Sequence, residues 1–221
     1  MRITTGTFPG EAGKLEYILN EPDGFSAAPA RAALVCHPHP LYGGTMHTRV
    51  VFQATRTFGQ LGWPVLRFHF RGVGKSDGVY DRGRGERADL KAALAFLRQL
   101  TAAPVLLAGF SFGASMVTRL LAAEARSEVA QAVLMGLPVD RQERGDELPT
   151  RWAWQGPKLM ISGDHDEFAS VAALELFYAQ LEEPKARQWI AGGDHFMAGR
   201  GAEFQAALRA HVQSQAGQNP A

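Results

Sequence analysis

A chain of 221 residues, 46% apolar and 20% charged, suits one globular α/β domain with a sizeable core. A formal charge of +1 gives no footprint for nucleic acid or an anionic membrane, and no apolar run approaches the ~20 residues of a bilayer span. Cys36 is the single cysteine, which excludes an intrachain disulfide and a thiolate metal site; with no apolar leader in "MRITTGTFPGEAGK", a cytoplasmic location is expected.

Taken in chain order, "KLEYIL" (14–19) alternates and predicts an antiparallel edge strand. "AALVC" (32–36) reads as a strand buried on both faces. Val50, Val51, Ala54, Phe58 and Leu61 share a helical face that Gly62 ends. "PVLRFHF" (64–70) is the next buried strand, and Leu90, Leu94, Leu97 and Leu100 mark a helix that stops before Pro104. "PVLLAGF" (104–110) is a strand and Phe112–Glu124 a helix; "AVLMGL" (132–137) and "KLMIS" (158–162) are strands. Helical spacing returns at Val171, Leu174, Phe177 and Leu181, then "RQWIA" (187–191) forms a buried strand, and Phe204, Leu208 and Val212 a last helix. The alternation predicts one domain over 1–213: a mostly parallel, doubly wound sheet with helices on both faces. Residues 214–221, "SQAGQNPA", are expected to be a flexible tail. The connection 138–157, "PVDRQERGDELPTRWAWQGP", carries three prolines and little helical periodicity.

Open parallel sheets bind ligands at the carboxyl ends of their strands, which narrows the search for chemistry to those loops. In "LLAGFSFGASM" (106–116) an apolar strand ends in a serine between Gly109 and Gly113. A strand that becomes a helix within a residue or two strains the turn residue. Side chains two places away would strike the neighbouring strand and helix, and glycine removes that collision. Ser111 then points out of the sheet beside a helix amino end. Its hydroxyl can attack a carbonyl while the Phe112 N–H stabilises the oxyanion. The competing reading is a plain helix N-cap.

A serine hydroxyl needs a base, and the base an orienting carboxylate. Both follow later strands, in the order serine, acid, histidine. "KLMISGDHDEF" offers Asp164 and Asp166. Asp166 is preferred because Asp164 directly follows Gly163 and suits a turn; Asp140 is a weaker third choice, and helix initiation is the competing role for Asp166. "WIAGGDHFMAGR" offers His195 as base, against the reading of a surface-loop histidine. His69 and His211 fall in a strand and a helix, and His165 comes too early in the chain.

The loop "CHPHPLYGGTMH" after Cys36 is placed to give a second oxyanion donor. Pro38 and Pro40 have no N–H, so the N–H of His39 is the choice and that of Leu41 the fallback. His37, His39 and His47 lack the carboxylate or thiolate cluster that a metal would need. "HFRGVGKSDG" imitates a phosphate loop, but the Walker pattern requires glycine where His69 stands, and the dinucleotide fingerprint fails at Asp77. A structural turn braced by Arg71 is the better reading, and Cys36 reads as a small core residue.

Together these segments resemble the α/β-hydrolase fold. "GFSFG" matches its nucleophile elbow, "GDHDEF" its acid loop, "GGDHF" its histidine loop and "FRGVGKSDG" its frequent R-G-x-G-x-S segment. "HPHPLYGGTMH" is similar to that of small, lidless bacterial serine hydrolases of esterase type. The resemblance spans roughly residues 30–200. It implies Ser111 as nucleophile, Asp166 as acid and His195 as base, and supports Phe112 and His39 as oxyanion donors. Relatives often carry a helical lid where this chain has only 138–157, which implies an accessible cleft. Tyr42, Trp152, Trp154, Phe168 and Phe196 are candidate walls; Phe112 can join them, Phe110 suits the core as well, and the tryptophans can equally cover the sheet edge. The expected activity is hydrolysis of small or medium carboxylic esters, without metal or cofactor. A thioesterase or amidase on the same triad, or a non-catalytic ligand-binding protein of the same fold, are the competing readings, and the oligomeric state is open.

Overall fold

A computed structural model describes residues 1–23, 29–141 and 148–216. Among them eight strands form one sheet: β1 (Arg2–Gly10), β2 (Gly13–Glu21), β3 (Ala32–Cys36), β4 (Val65–Phe68), β5 (Val105–Phe110), β6 (Val129–Met135), β7 (Lys158–Gly163) and β8 (Lys185–Ile190). Five helices accompany them: α1 (Arg49–Gly59), α2 (Arg84–Leu100), α3 (Phe112–Ala123), α4 (Val171–Gln180) and α5 (Gly201–Ala216). The sheet order is β1-β2-β4-β3-β5-β6-β7-β8. β1 and β2 form an antiparallel hairpin, β2 lies antiparallel to β4, and the other pairs are parallel.

The period-two alternation of the central strands splits the core into two layers. In β3, Ala32, Leu34 and Cys36 face the layer covered by α2, α3 and α4, whereas Ala33 and Val35 face α1 and α5. Leu90, Leu94 and Leu97 bring α2 to the first layer; Val50, Val51, Ala54 and Phe58 bring α1 to the second. Both faces of β3 and β5 are sealed, so the backbone at their carboxyl ends is held rigidly.

Three expectations change at the margins. The strand around 14–19 is not an edge, because β1 covers it. In "RITTGTFPG" only Phe8 is buried, so no apolar alternation announces β1, and pairing with β2 makes it a strand. The last strand is not buried on both faces: β8 is the opposite edge and exposes Arg187 and Gln188. Charge on an exposed edge discourages pairing with another sheet. Finally, α5 continues through 214 to Ala216, past the boundary expected for the tail; residues 217–221 lie outside the described residues.

The connection between β6 and β7 contains no helix or strand among its described residues. Ala153 and Trp154 donate backbone hydrogen bonds to Ala122 O (3.1 Å) and Leu121 O (3.0 Å), which ties it to the end of α3. No described helix is long and apolar enough to cross a membrane.

Candidate active site

Ser111 joins β5 to α3 at φ 54°, ψ −118°. A non-glycine residue in such a region costs about 1–3 kcal/mol and persists only where its surroundings impose it. Here they do: the Ser111 N–H donates to Met135 O at 2.9 Å, and Ser111 O accepts the first helical bond from Ser115 at 3.0 Å. A Cβ on Gly109 would overlap the backbone of Gly113 and Ala114. One on Gly113 would lie 2.6 Å from Cys36 O and 2.7 Å from His37 O. The two glycines thus admit close contact between strand and helix, and between helix and β3. Ser111 occupies the N-cap position of α3, but its hydroxyl makes no capping bond to the helix. Phe112 opens α3, where backbone N–H groups precede the intrahelical ladder.

His195 Nδ1 lies 3.0 Å and 2.9 Å from the two carboxylate oxygens of Asp166. Asp166 Oδ1 also accepts from the Phe168 N–H (2.8 Å), and Oδ2 from the Ser162 hydroxyl (2.9 Å). The carboxylate is therefore an acceptor on every side. The His195 proton belongs on Nδ1 and a lone pair on Nε2, the tautomer a general base needs. Both side chains are buried. The His195 ring stands 4.9 Å from that of Phe110, the residue before Ser111, and closes over Gly136 at the end of β6. A Cβ on Gly136 (φ +52°) would reach within 3.2 Å of the imidazole.

The acid and histidine loops lock together through backbone. Gly163 packs directly on Gly193, the His165 N–H donates to Gly193 O (2.9 Å), and the Gly192 N–H donates to Asp164 Oδ1 (2.7 Å). Asp164 is thus spent on fixing the turn. Asp140 accepts from the Ser170 N–H at 2.7 Å, at the start of α4. Asp194 closes its own turn by accepting from Ala198 N–H at 2.8 Å.

In the loop after β3, His39 precedes a short 3₁₀ turn, Pro40–Tyr42. Its Nδ1 accepts from the Leu41 N–H at 3.2 Å, so the fallback donor is already engaged. Gly44 allows the chain to double back, because a Cβ there would overlap the carbonyls of Pro38 and His39. His37 is fully buried; Nδ1–H donates to Pro38 O (2.6 Å) and Nε2 accepts from the Phe70 N–H (3.0 Å). Burial holds its pKa well below the ordinary value, at about 3.

Candidate walls divide. Phe168 and Phe196 stand 4.4 Å and 5.1 Å from the His195 ring, and Tyr42 stands 4.6 Å from that of His39. Tyr42 and Phe196 are exposed, Phe112 is nearly buried beside His39, and Phe110 belongs to the core. Trp152 and Trp154 do not reach this end. They are buried against the end of α3 and the amino ends of β6 and β7: Trp154 Nε1–H donates to Val129 O (3.0 Å), and both rings lie near Lys158 Nζ (5.7 Å and 5.9 Å). They seal the sheet because the connection from β6 to β7 must run back to the amino side.

The phosphate-loop lookalike is a packed turn. Arg71 Nε donates to both Asp89 oxygens (3.2 and 3.1 Å) and its Nη2 to Asp89 Oδ1 (2.8 Å), while the Ser76 hydroxyl donates to His69 O (2.8 Å). His69 lies just beyond β4 rather than within it, held by Glu16 at 3.0 Å. Among the described residues no group of three or more His, Cys, Asp or Glu side chains is arranged to hold a metal ion. Burial pushes the Cys36 thiol far above its usual range.

A family model described as an alpha/beta hydrolase domain matches residues 33–217. The chain belongs to that family. A solved alpha/beta serine hydrolase homologue from Coxiella burnetii is 34% identical and superposes with a TM-score of 0.84, covering 95% of this chain and 97% of its own. A serine hydrolase without a lid from Xanthomonas campestris is 31% identical, with a TM-score of 0.84 and coverage of 100% and 98%. An uncharacterised protein of Rickettsia prowazekii is 34% identical over 190 residues, 83% of this chain and 79% of its own. Among its described residues the β6–β7 connection of this alpha/beta hydrolase carries no lid helix, and the Xanthomonas relative is described as lidless. Nothing in the sequence marks Ser162 or Gly136 for the site. Ser162 lies within β7 and Gly136 directly follows β6, and only the packing around His195 and Asp166 gives each a role.

Proposed function

We propose that this alpha/beta hydrolase cleaves small or medium carboxylic esters through an acyl-enzyme on Ser111. His195 Nε2 takes the hydroxyl proton as Oγ bonds to the ester carbonyl carbon. The carbonyl π pair moves onto oxygen, where the N–H groups of Phe112 and His39 receive it. Asp166 holds the imidazolium. The carbonyl re-forms as the C–O bond to the alcohol breaks, and His195 returns its proton to the leaving alkoxide. Water then attacks the acyl-enzyme by the same route, releasing the carboxylic acid and restoring Ser111. The observation that carries this reading is an Asp166-oriented His195 packed beside the ring that precedes a positive-φ serine. Its support from relatives is that two solved neighbours above 30% identity are described as a serine hydrolase homologue and a serine hydrolase.

The test is fluorophosphonate labelling with peptide mapping, beside hydrolysis rates on an ester, a thioester and an amide that share one acyl group. Label on Ser111, fastest turnover of the ester, and a loss on the order of 10⁴-fold or more in Ser111→Ala are expected. Label elsewhere, or binding without turnover or labelling, overturns the proposal; a faster thioester or amide replaces the ester with that substrate.

A further inference from the structure

The loop 71–83 joins none of the chemistry above, yet it carries Tyr80 to both residues assigned to the oxyanion. Because His39 Nδ1 accepts from the Leu41 N–H, the imidazole proton sits on Nε2, which donates to the Tyr80 hydroxyl at 3.1 Å. The Tyr80 ring lies 4.8 Å from that of His39 and 6.0 Å from that of Phe112, and His39 and Phe112 are 5.0 Å apart. Three rings, from two loops and the first turn of α3, thus form one contact set at the carboxyl ends of β3, β4 and β5.

The loop that supplies Tyr80 is itself anchored. Glu86 of α2, fully buried, accepts from the Asp81 N–H and the Gly83 N–H, each at 2.8 Å, on the chain just after Tyr80. Arg71 at the other end is fixed by Asp89 of the same helix. Tyr80 therefore stands on α2, outside the elbow and outside the loop it touches.

We propose that Tyr80 is a positioning residue for the oxyanion hole: its hydroxyl fixes the His39 imidazole and its ring sets His39 against Phe112, so that their two N–H groups converge on one point. Electrostatic stabilisation of this kind depends on donors held in place before the charge develops, and small displacements of such groups cost rate rather than binding. The inference rests on the acyl-transfer reading of Ser111.

The experiment compares wild type, Tyr80→Phe, His39→Ala and the double variant for kcat, KM, thermal midpoint and inhibition by benzeneboronic acid. In that inhibitor Ser111 Oγ adds to boron, its proton passing to His195, and leaves a tetrahedral anion in the hole. Tyr80→Phe is expected to lower kcat on the order of 10-fold with KM unchanged, and to weaken boronate inhibition by a similar factor. In the His39→Ala background the same substitution should change kcat by less than roughly 2-fold. Unchanged kcat in a folded Tyr80→Phe, or an equal loss with and without His39, overturns the role of Tyr80 while leaving the hydrolase reading intact. A wild type that neither hydrolyses esters nor takes a fluorophosphonate label overturns both.

Discussion

Asp166→Asn changes one atom in a carboxylate whose partners leave little freedom. Oδ1 faces the Phe168 N–H at 2.8 Å, which can only donate, so that position must remain oxygen. The amide nitrogen must then replace Oδ2, where the Ser162 hydroxyl, 2.9 Å away, can rotate to accept from it. The same nitrogen lies 2.9 Å from His195 Nδ1 and points a hydrogen at it. The imidazole answers by offering a lone pair at Nδ1, which moves its own proton to Nε2, the nitrogen that must accept from Ser111. The bonds with Phe168 and Ser162 and a reversed bond to His195 Nδ1 keep the buried pair satisfied, at the cost of the 3.0 Å bond between Nδ1 and Oδ1, so the fold should hold while the base has the wrong tautomer. The expected loss in kcat is on the order of 10⁴-fold, or about 5 kcal/mol of barrier. The assay is steady-state hydrolysis of a chromogenic ester, with thermal midpoints to confirm folding. Asp164→Asn serves as control: the single bond from the Gly192 N–H (2.7 Å) can be kept by the amide oxygen, so its rate should stay within a few-fold of wild type. An Asp166→Asn variant retaining more than about a tenth of wild-type kcat refutes the tautomer argument.

Two further outcomes follow from the packing. Trp154→Ala removes a buried indole from the amino end of the sheet and should lower stability by about 3–5 kcal/mol while the folded fraction keeps its kcat and KM; a specificity change with unchanged stability would return Trp154 to the substrate cleft. His37 remains neutral in the folded chain down to about pH 3, whereas in the unfolded chain it takes a proton below about 6.5. Its contribution is full above that pH and declines toward pH 3 with a slope of about 1.4 kcal/mol per unit. In urea titrations, the stability advantage of wild type over His37→Asn should shrink between pH 7 and pH 4; a constant gap removes His37 from the acid response.

Much of this protein is legible in its sequence. The alternation of short apolar runs and helical stripes announces a doubly wound sheet, because burial on both faces demands continuous apolar strands and one-sided helices. Gly109 and Gly113 announce the sharp bend, and the pair Asp164 and Asp166 could be ranked from turn chemistry alone. Such signals are local: they come from backbone conformation and from side-chain spacing within a few residues.

What tertiary structure decided is contact between segments far apart in the chain. Arg2–Gly10 is a strand because β2 pairs with it, not because of its own pattern. Trp152 and Trp154 leave the cleft because a connection between parallel strands must return to the amino side before the next strand begins. Gly136 and Tyr80 acquire meaning only through neighbours 59 and 41 residues away (His195 and His39), held at distances that no periodicity encodes. A hydrogen bond depends on where two atoms meet in space, and for residues this distant that is settled by how the layers pack.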